Sequence, residues 1–437
     1  MKERFFFILD KLDKPFFGYS LLIVLIFLVV FLKLDSFPFR IYDESRFAVN
    51  AYEMNKSGNY LVPTMNGEVD EYNSKPPLTL WFQVLSISIL GFNELAIRLP
   101  SALAAALTIL FLFRFLKKNT SIELASLSVL ILLTTQGFVT FHTARTGDSD
   151  ALLTLFTTLS LFSFINWIQT EKQRDIYLTF LFISIAFLAK SFAAFLFLPG
   201  MFITVFMMKN LSFIKTQLKS ILGALLLLLL LIGVFLIARE IKTPGYIKTI
   251  LLSDADKLLS AKDDHKEPWY YYIYEFTNYR FTFWFVLSVL GCSIIAFYRK
   301  CDIRKVAFPL FVLTLSYLLI ISFSPTKVKW YDMPVLPFLA VMAAVPIYII
   351  AKYETGIKPY QKIVICMMIF AIPLKQRFGQ SQANSYNLFE YTNEMSDRYL
   401  FNLLKDGKPD NITVYSTGYD GALLCYTITV YKLAQNC

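Results

Sequence analysis

The chain has 437 residues, of which 56% are hydrophobic and 17% charged, and its formal net charge is +10. Ordinary soluble domains are about 45–50% apolar and about 25% charged, so this composition excludes a soluble globular protein. The apolar residues occur in blocks of about 20, the length of helix that crosses a hydrocarbon core. A membrane barrel, with its alternating segments of about ten residues, is excluded as well. The sequence therefore predicts an all-α, polytopic membrane protein.

The first apolar block, PFFGYSLLIVLIFLVVFLKL, is too long for the core of a signal peptide, and no small-residue cleavage site follows it. We therefore expect it to be an anchored first span. Hydropathy predicts about eleven spans, near residues 16–35, 98–116, 122–141, 150–168, 176–192, 194–208, 219–238, 281–298, 306–323, 332–350 and 360–374.

The segment PLTLWFQVLSISILGF at 77–92 is ambiguous, because it is apolar but short for a span. If it does not cross, the basic clusters of five later loops fall on the same side as the N-terminus, as the positive-inside rule favours. We therefore predict an interfacial helix there, a cytoplasmic N-terminus and an extracytoplasmic C-terminus. Since the same rule concentrates Lys and Arg in cytoplasmic loops, the positive net charge does not indicate a nucleic-acid partner.

This topology divides the chain into two predicted domains. A transmembrane domain spans 1–375, with a first extracytoplasmic loop at 36–97 and a second long one at 239–280. A short α/β extracytoplasmic domain follows at 376–437. It contains Cys425 and Cys437, and an oxidising compartment would allow them to pair.

Ionisable residues gather on the predicted extracytoplasmic side of the bundle. Carboxylates suit proton abstraction from a hydroxyl, or stabilisation of positive charge on a sugar, whereas Lys and Arg suit a phosphate. Together they indicate a substrate with a phosphate near the bilayer surface and an acceptor hydroxyl above it. The candidates are Asp43, Glu44, Asp148 and Asp150, the cations Arg46, Lys75, Arg145, Lys190, Lys327 and Lys329, and also Tyr331 and His265.

Each candidate also has an ordinary structural explanation. Glu44 and Arg46 can form local helix pairs, and Lys190 can snorkel from the end of a short span. Asp150 can cap the following helix. Tyr331 fits an interfacial aromatic belt, and a lone loop histidine such as His265 is usually solvated. Composition and spacing therefore indicate a site without identifying its chemistry.

The order of the motifs resembles the ArnT-like glycosyltransferases, which have the GT-C fold and are relatives of the protein O-mannosyltransferases. The stretch YDESRFAVNAYEMNKSGNYLVPTMNGEVDEYNSKPPLTLWF is similar to the family's first extracytoplasmic loop, with its D-E-x-R-[FY]-A start and its K-P-P before an interfacial helix. Three later stretches, ARTGDSDALLTLF, HKEPWYYYIYEF and SPTKVKWYDMPVLP, resemble family motifs in the family's order. In LAKSFAAFLFLP, Ser191 and Phe192 replace the Gly and Pro of the family's L-x-K-G-P segment.

The resemblance covers about residues 36–340 and implies an inverting transfer of a sugar from a polyprenyl-phosphate donor. The implied acceptor is left open between a lipid A-type glycolipid, another envelope glycan and protein. Asp43 would be the leading catalytic carboxylate, supported by Glu44, and the second acid would be Asp150 or Asp148. The implied location is the bacterial inner membrane, with the site on its extracytoplasmic face.

The donor phosphate would be held by Lys75, Lys327 and Tyr331, with Arg46 as a further candidate. The altered L-x-K-G-P segment leaves the phosphate role of Lys190 open. No P-loop or dinucleotide fingerprint is present, so no cofactor is required. A divalent metal ion, held in some relatives partly by a histidine near His265, is carried over as a further expectation.

The competing function is a transporter or flippase for a lipid or small molecule. Transporters tend to bury charges near the bilayer midplane and often contain inverted repeats with broken helices. Here the spans carry few charges at their centres and the ionisable residues gather at one rim. This pattern favours the enzyme.

Overall fold

The computed structural model describes residues 15–36, 39–40, 43–140, 142–259, 265–298 and 303–353. Six of its helices are long and apolar enough to cross a membrane, which confirms the prediction of a helical multi-pass protein. The helices are, in chain order, α1 (Pro15–Ile26), α2 (Asp43–Ser57), α3 (Leu78–Leu90), α4 (Glu94–Asn119), α5 (Ile122–Thr134), α6 (Gln136–Val139), α7 (Asp150–Thr170), α8 (Gln173–Lys190), α9 (Leu198–Met208), α10 (Leu211–Lys242), α11 (Tyr246–Leu259), α12 (Tyr271–Glu275), α13 (Phe285–Phe297), α14 (Arg304–Phe323) and α15 (Leu336–Tyr353).

The described residues contain several spans but do not test the predicted total of eleven. Four of the predicted spans correspond to shorter apolar helices, which are Leu22–Phe31, α5, α9 and α13. Each is shorter than the roughly 20 residues that cross a bilayer unaided. The last predicted span, at 360–374, lies outside the described residues, as do the predicted domain at 376–437 and both Cys425 and Cys437. The total of eleven and the two-domain division therefore stay predictions.

The ambiguous segment at 77–92 forms α3, a helix of 13 residues. It packs between α2 and α4. One of its faces is buried and the other carries exposed apolar side chains, among them Leu85 and Ile89. This is the pattern of a helix lying along an interface, although its position relative to the bilayer stays a prediction.

Side-chain caps explain where two of the long helices begin. Asn93 Oδ1 accepts a hydrogen bond from the amide of Ala96 at 2.9 Å and starts α4, and Asn210 Oδ1 does the same for the amide of Phe213 at the start of α10. Each cap satisfies one of the four amide groups that a helix N-terminus leaves without an intrahelical partner.

The core lies around α7 and α15. The most apolar stretch of Lys329–Lys352, which contains α15, is 89% buried, and that of α7 is 83% buried, whereas that of Ser212–Lys242 in α10 is only 22% buried. α15 packs against α5 and α13, and α7 packs against α4 and α8. The apolar surface of α10 is therefore the one most suited to facing lipid.

A small hairpin links α2 to α3. Its strands β1 (Thr64–Met65) and β2 (Glu68–Val69) pair antiparallel. Asn66 and Gly67 join them with φ values of 59° and 79°, the left-handed conformation that the two-residue turns of hairpins require. Glu53 of α2 accepts hydrogen bonds from the amides of Asn66 at 2.8 Å and Gly67 at 3.2 Å. The hairpin is thereby fixed against α2. After the hairpin, the chain brings Lys75 next to Asp43 at the start of α2.

Candidate active site

Asp43 and Lys75 form an ion pair at one end of the bundle. Asp43 is the first residue of α2, and its Oδ2 lies 3.1 Å from the Nζ of Lys75. Their side chains are 37% and 24% exposed, so both groups face an opening. Burial disfavours ionisation of Asp43, but Lys75, His142 and Lys190 outweigh it and hold the pKa of Asp43 well below its usual value. The pair is therefore fully charged at neutral pH.

The loop before α7 is held beside this pair by its backbone. The amide of Gly147 donates to Glu44 Oε1 at 2.9 Å, and its carbonyl accepts from Gln83 Nε2 at 2.8 Å. A Cβ at Gly147 would lie 2.5 Å from Ile97 Cγ2, so only glycine fits this approach. Ser101 Oγ also donates to the carbonyl of Asp148 at 2.8 Å. The second acidic motif is thus fixed to helices α2, α3 and α4.

His142 and Asp148 face each other within that loop. Nδ1 of His142 lies 3.3 Å from Oδ1 of Asp148, and both side chains are almost completely buried. The His142 ring stacks on Trp330, with ring centroids 3.5 Å apart and planes inclined by 11°. One ligand-type atom from each of Asp43, His142 and Asp148 lies within 4.8 Å of the others. The loop therefore adds an imidazole and a second carboxylate to the Asp43 site.

Asp150 and Lys190 form a second ion pair next to the first. Asp150 begins α7 and Lys190 ends the antiparallel helix α8, so both lie at the same end of the bundle. The Nζ of Lys190 lies 2.5 Å from Oδ1 of Asp150 and 5.4 Å from the centre of the Tyr331 ring. This pairing gives Lys190 a partner within the site, rather than the bilayer surface expected of a snorkelling lysine.

A cleft opens beside this pair. Asp150, Lys190 and Tyr331 lie on its wall, together with apolar side chains such as Phe192, Leu196 and Ile321. One cleft thus combines a charged pair with an apolar surface. An amphipathic ligand with a charged head and a hydrocarbon tail suits such a lining.

Asp254 of α11 contacts the segment in which the family's Gly and Pro are replaced. Its Oδ2 accepts from Ser191 Oγ at 2.5 Å and from the amide of Phe192 at 3.4 Å. Asp254 also lines the cleft. Serine at position 191 therefore supplies a hydroxyl that ties α11 to the end of α8, a contact that glycine could not make.

Glu44, expected to act in catalysis beside Asp43, has a different environment. Arg98 contacts both of its oxygens, at 2.7 Å and 3.0 Å, and the amides of Arg40 and Gly147 donate to it at 2.8 Å and 2.9 Å. Its side chain is 1% exposed. A carboxylate with so many donors and no access to solvent does not fit a catalytic role, so the two adjacent acids have different surroundings.

Arg46 likewise does not face the site. Its Nη1 lies 3.0 Å from Oδ1 of Asp70, and its guanidinium lies 5.1 Å from the centre of the Tyr72 ring. Asn50 also donates to Asp70, at 3.1 Å. These contacts fasten the segment after the hairpin to α2, which is not the phosphate-binding position expected for Arg46.

Lys327 and His265 meet through the backbone. The Nζ of Lys327 donates to the carbonyls of Glu267 at 2.8 Å and Ser324 at 2.7 Å, and its amide donates to the carbonyl of His265 at 3.0 Å. The His265 side chain is exposed and, among the described residues, it does not belong to the group that could hold a metal ion. These positions give Lys327 a structural partner set and do not support the metal role carried over to His265.

The other two cations on the predicted rim also have identifiable places. Arg145 donates to four carbonyls at the end of the first span, those of Val29, Val30, Leu32 and Lys33. Lys329 begins the 3₁₀ turn Lys329–Val335 that carries Trp330 and Tyr331 into the site. Arg145 therefore caps a helix end that would otherwise leave carbonyls without partners.

His142 and Asp254 are the residues that sequence reasoning missed. His142 is one of only two histidines in the chain and stands six residues before Asp148, a rarity that could have drawn attention to it. Asp254 lies in a loop helix more than 60 residues from Ser191, and no local pattern connects the two.

Comparison with known proteins supports the resemblance. The profile of the family described as "Dolichyl-phosphate-mannose-protein mannosyltransferase" matches residues 74–237. A protein of Aquifex aeolicus is 28% identical over 307 residues, which cover 69% of this chain and 58% of that protein. An undecaprenyl phosphate-alpha-4-amino-4-deoxy-L-arabinose arabinosyl transferase of Aeromonas hydrophila is 30% identical over 257 residues, which cover 55% and 44%. The chain thus matches about half the length of these relatives.

Among solved structures, ArnT from Cupriavidus metallidurans bound to undecaprenyl phosphate superposes with a TM-score of 0.68 at 15% identity. The match covers 95% of this chain and 75% of that protein. At this identity the likeness concerns the fold, and the family profile and the curated relatives supply the sequence relationship. The chain therefore shares the fold of ArnT, and over part of its length its sequence is similar to the ArnT-like glycosyltransferases.

Proposed function

We propose that this protein transfers a sugar from a polyprenyl-phosphate donor to an acceptor at the extracytoplasmic face of the bacterial inner membrane, with inversion at the anomeric carbon. The observation that carries the proposal is the adjacency of two lysine–carboxylate pairs, Asp43–Lys75 and Asp150–Lys190, beside an apolar cleft. Lysines suit the donor phosphate, carboxylates suit the acceptor hydroxyl, and the cleft suits the prenyl chain.

The reaction breaks the bond between the anomeric carbon and the phosphate oxygen, and forms a bond from that carbon to the acceptor oxygen. The bonding electrons leave with the lipid phosphate, which is already a good leaving group. The enzyme therefore has to stabilise the charge that grows on it. Lys190 supplies that positive charge, and Tyr331 adds a hydroxyl in the same cleft, while Lys75 keeps Asp43 in its charged form.

Asp43 takes the role of base and orienting group. It is ionised and accessible, so it can accept the proton of an acceptor hydroxyl on the face opposite the leaving phosphate. If the acceptor is itself a phosphate, Asp43 positions it instead. Asp150 acts as the second acid by holding Lys190, and Glu44 maintains the loop on which Asp148 lies.

The apolar part of the cleft suits the first isoprene units of the donor. Phe192, Leu196 and Ile321 line it, and Asp150 and Lys190 stand on the same wall. A donor whose phosphate meets Lys190 can therefore lay its chain along these side chains without burying a charge.

A transfer assay tests the proposal directly. Purified protein in lipid nanodiscs receives a radiolabelled sugar on undecaprenyl phosphate, with a glycolipid, a glycan or a peptide as acceptor. We expect label to move to one acceptor class with release of undecaprenyl phosphate. Movement of intact donor between leaflets of a vesicle, without transfer to any acceptor, would instead support the flippase and overturn the proposal.

A further inference from the structure

We propose that Asp254 of α11 is a positioning residue that holds Lys190 towards the donor phosphate, through its hydrogen bonds to the turn that follows Lys190. The proposal rests on the proposed function for its ligand, a polyprenyl phosphate. Asp254 lines the same cleft as Lys190, and the proposed reaction gives its carboxylate no role of its own.

The turn at Ser191 has a backbone conformation that suits glycine. Ser191 follows the last residue of α8 with a φ of 53° and a ψ of −141°, and the residue is only 3% exposed. A β-carbon makes this conformation unfavourable, so residues other than glycine remain in it only where the surrounding structure fixes them. Contacts from elsewhere in the fold must therefore hold this turn.

Asp254 provides contacts of that kind. Its Oδ2 accepts from Ser191 Oγ at 2.5 Å and from the amide of Phe192 at 3.4 Å. Hydrogen bonds to an ionised carboxylate are stronger than those between neutral groups. Lys190 directly precedes the turn and Phe192 follows it, and both side chains lie on the wall of the cleft. The placement of these two side chains therefore depends on Asp254.

A second contact of α11 fixes the helix on which Asp254 lies. Tyr246 stands eight residues before Asp254 and shares its face of the helix, because positions four and eight apart lie above one another. The Tyr246 hydroxyl donates to the carbonyl of Ser74 at 2.9 Å, directly before Lys75. Ile250, between the two, is buried. α11 thus contacts the segment before one lysine of the site and the segment after the other.

Two roles for Asp254 predict opposite effects on phosphate binding. A carboxylate that only lined the cleft would repel a phosphate, so its removal would strengthen binding of the lipid phosphate. A carboxylate that positions Lys190 supports the cation that meets the phosphate, so its removal weakens binding. Glycine at position 191 separates the roles further, because glycine adopts the turn without help from Asp254.

Native mass spectrometry of the full-length protein in detergent micelles measures binding of undecaprenyl phosphate and of undecaprenol, which lacks the phosphate. The ratio of the two dissociation constants isolates the contribution of the phosphate. Lys248→Ala, at an exposed position of α11, is the matched control, and unfolding midpoints show which variants are folded. The test variants are Asp254→Ala, Asp254→Asn, Ser191→Ala, Ser191→Gly and the double variant that combines Ser191→Gly with Asp254→Ala.

We expect Asp254→Ala and Ser191→Ala each to lower the preference for the phosphate by about 10-fold. Asp254→Asn keeps an oxygen acceptor and should lose less. Ser191→Gly should stay within about 3-fold of the wild type, and adding Asp254→Ala to it should change little. Lys248→Ala should leave the preference unchanged.

The proposal is overturned if Asp254→Ala leaves the preference unchanged or raises it. It is also overturned if Asp254→Ala causes the same loss with glycine at position 191 as with serine, because Asp254 would then act without the turn. If Asp254→Ala fails to fold, Ser191→Ala and Ser191→Gly decide the question, since equal preferences in these two variants would exclude a role for the strained turn.

The position of Lys190 can also be followed without any lipid. Peptide mass spectrometry measures the rate at which an amine-reactive reagent modifies Lys190, which is buried against Asp150. We expect slow modification in the wild type and in Ser191→Gly, and several-fold faster modification in Asp254→Ala and Ser191→Ala. Equal rates in all four proteins would overturn the positioning role even if the lipid binds. The expected rates in a protein without any preference for the phosphate would instead refute the proposed donor alone.

Discussion

Arg98 donates two hydrogen bonds to Glu44, from Nε to Oε1 at 2.7 Å and from Nη2 to Oε2 at 3.0 Å. Both side chains are at most 2% exposed. Removing one member of a buried ion pair leaves the other charge without compensation, at a cost of about 3–5 kcal/mol. We therefore expect Glu44→Ala to lower the thermal unfolding midpoint markedly, measured by tryptophan fluorescence in detergent. Glu68→Ala, at an exposed hairpin position, is the control, and equal midpoints for the two variants would contradict the structural role.

Asp43→Asn should have the opposite profile. The amide keeps the size of the side chain and the carbonyl that can accept from Lys75, but it cannot take a proton. We expect transfer to fall by about 10²–10⁴-fold, the usual contribution of a positioned base, while the unfolding midpoint changes little. The measurement is the initial rate with saturating donor. Undiminished transfer would remove Asp43 from the mechanism; if the acceptor proves to be a phosphate, a smaller loss is expected because deprotonation then matters little.

Lys190 and Lys327 should respond differently to the same substitution. Lys190→Gln removes a cation on the wall of the cleft, and charged hydrogen bonds are worth about 1.5–3 kcal/mol. We therefore expect the KM for the donor to rise by roughly 10- to 100-fold. Lys190→Gln should also lower stability, because it leaves the buried Asp150 without its cation. Lys327→Gln should lower stability without raising the donor KM, because its ammonium group holds two backbone carbonyls. The measurements are the donor KM and the unfolding midpoint of both variants. A raised KM in Lys327→Gln alone would support the phosphate-binding role that the sequence predicted for Lys327.

Gly291 of α13 provides a test of the helix packing. A Cβ at this position would overlap the backbone carbonyl of Met342 in α15, and backbone cannot move as a flexible side chain does. We expect Gly291→Ala to destabilise the protein by about 1–3 kcal/mol, the usual cost of overpacking. Gly233→Ala in α10 is the matched control, because a Cβ there meets nothing within 4 Å. It should be neutral or slightly stabilising, since alanine favours helix. A midpoint for Gly291→Ala that equals that of the control would show that α13 and α15 are less closely packed.

The helical membrane fold could be predicted from the sequence, because apolar blocks of span length are a local signal. The number of spans could not be predicted, since helices such as α9 and α13 are shorter than the apolar runs that suggested them. Hydropathy reports where a chain is apolar. It does not report where a helix ends when a 3₁₀ turn, such as Ser191–Phe195, interrupts the run.

The candidate site also has a part that the sequence predicted and a part that it did not. Asp43, Lys75 and Asp150 stand in motifs whose order resembles the family's, and the structure brings them together with Lys190. The separate environments of Asp43 and Glu44 could not be predicted, because successive residues of a helix point in different directions and the partner of Glu44 lies 54 residues away. The surroundings of His142 could not be predicted either, since its neighbours Trp330 and Asp43 are brought to it only by the tertiary fold.

The carboxylate of Glu44 is bonded from segments that enter the chain near residues 40, 98 and 147. During synthesis, Arg98 is made early, as part of α4. The amide of Gly147 becomes available only after α4, α5 and α6 have been synthesised. Until then the loop before α7 cannot bind Glu44. A nascent chain that ends before Gly147 therefore does not contain the assembled site. The site also contains Lys190 and Tyr331, so the chain gains the proposed geometry only after residue 331 has been synthesised.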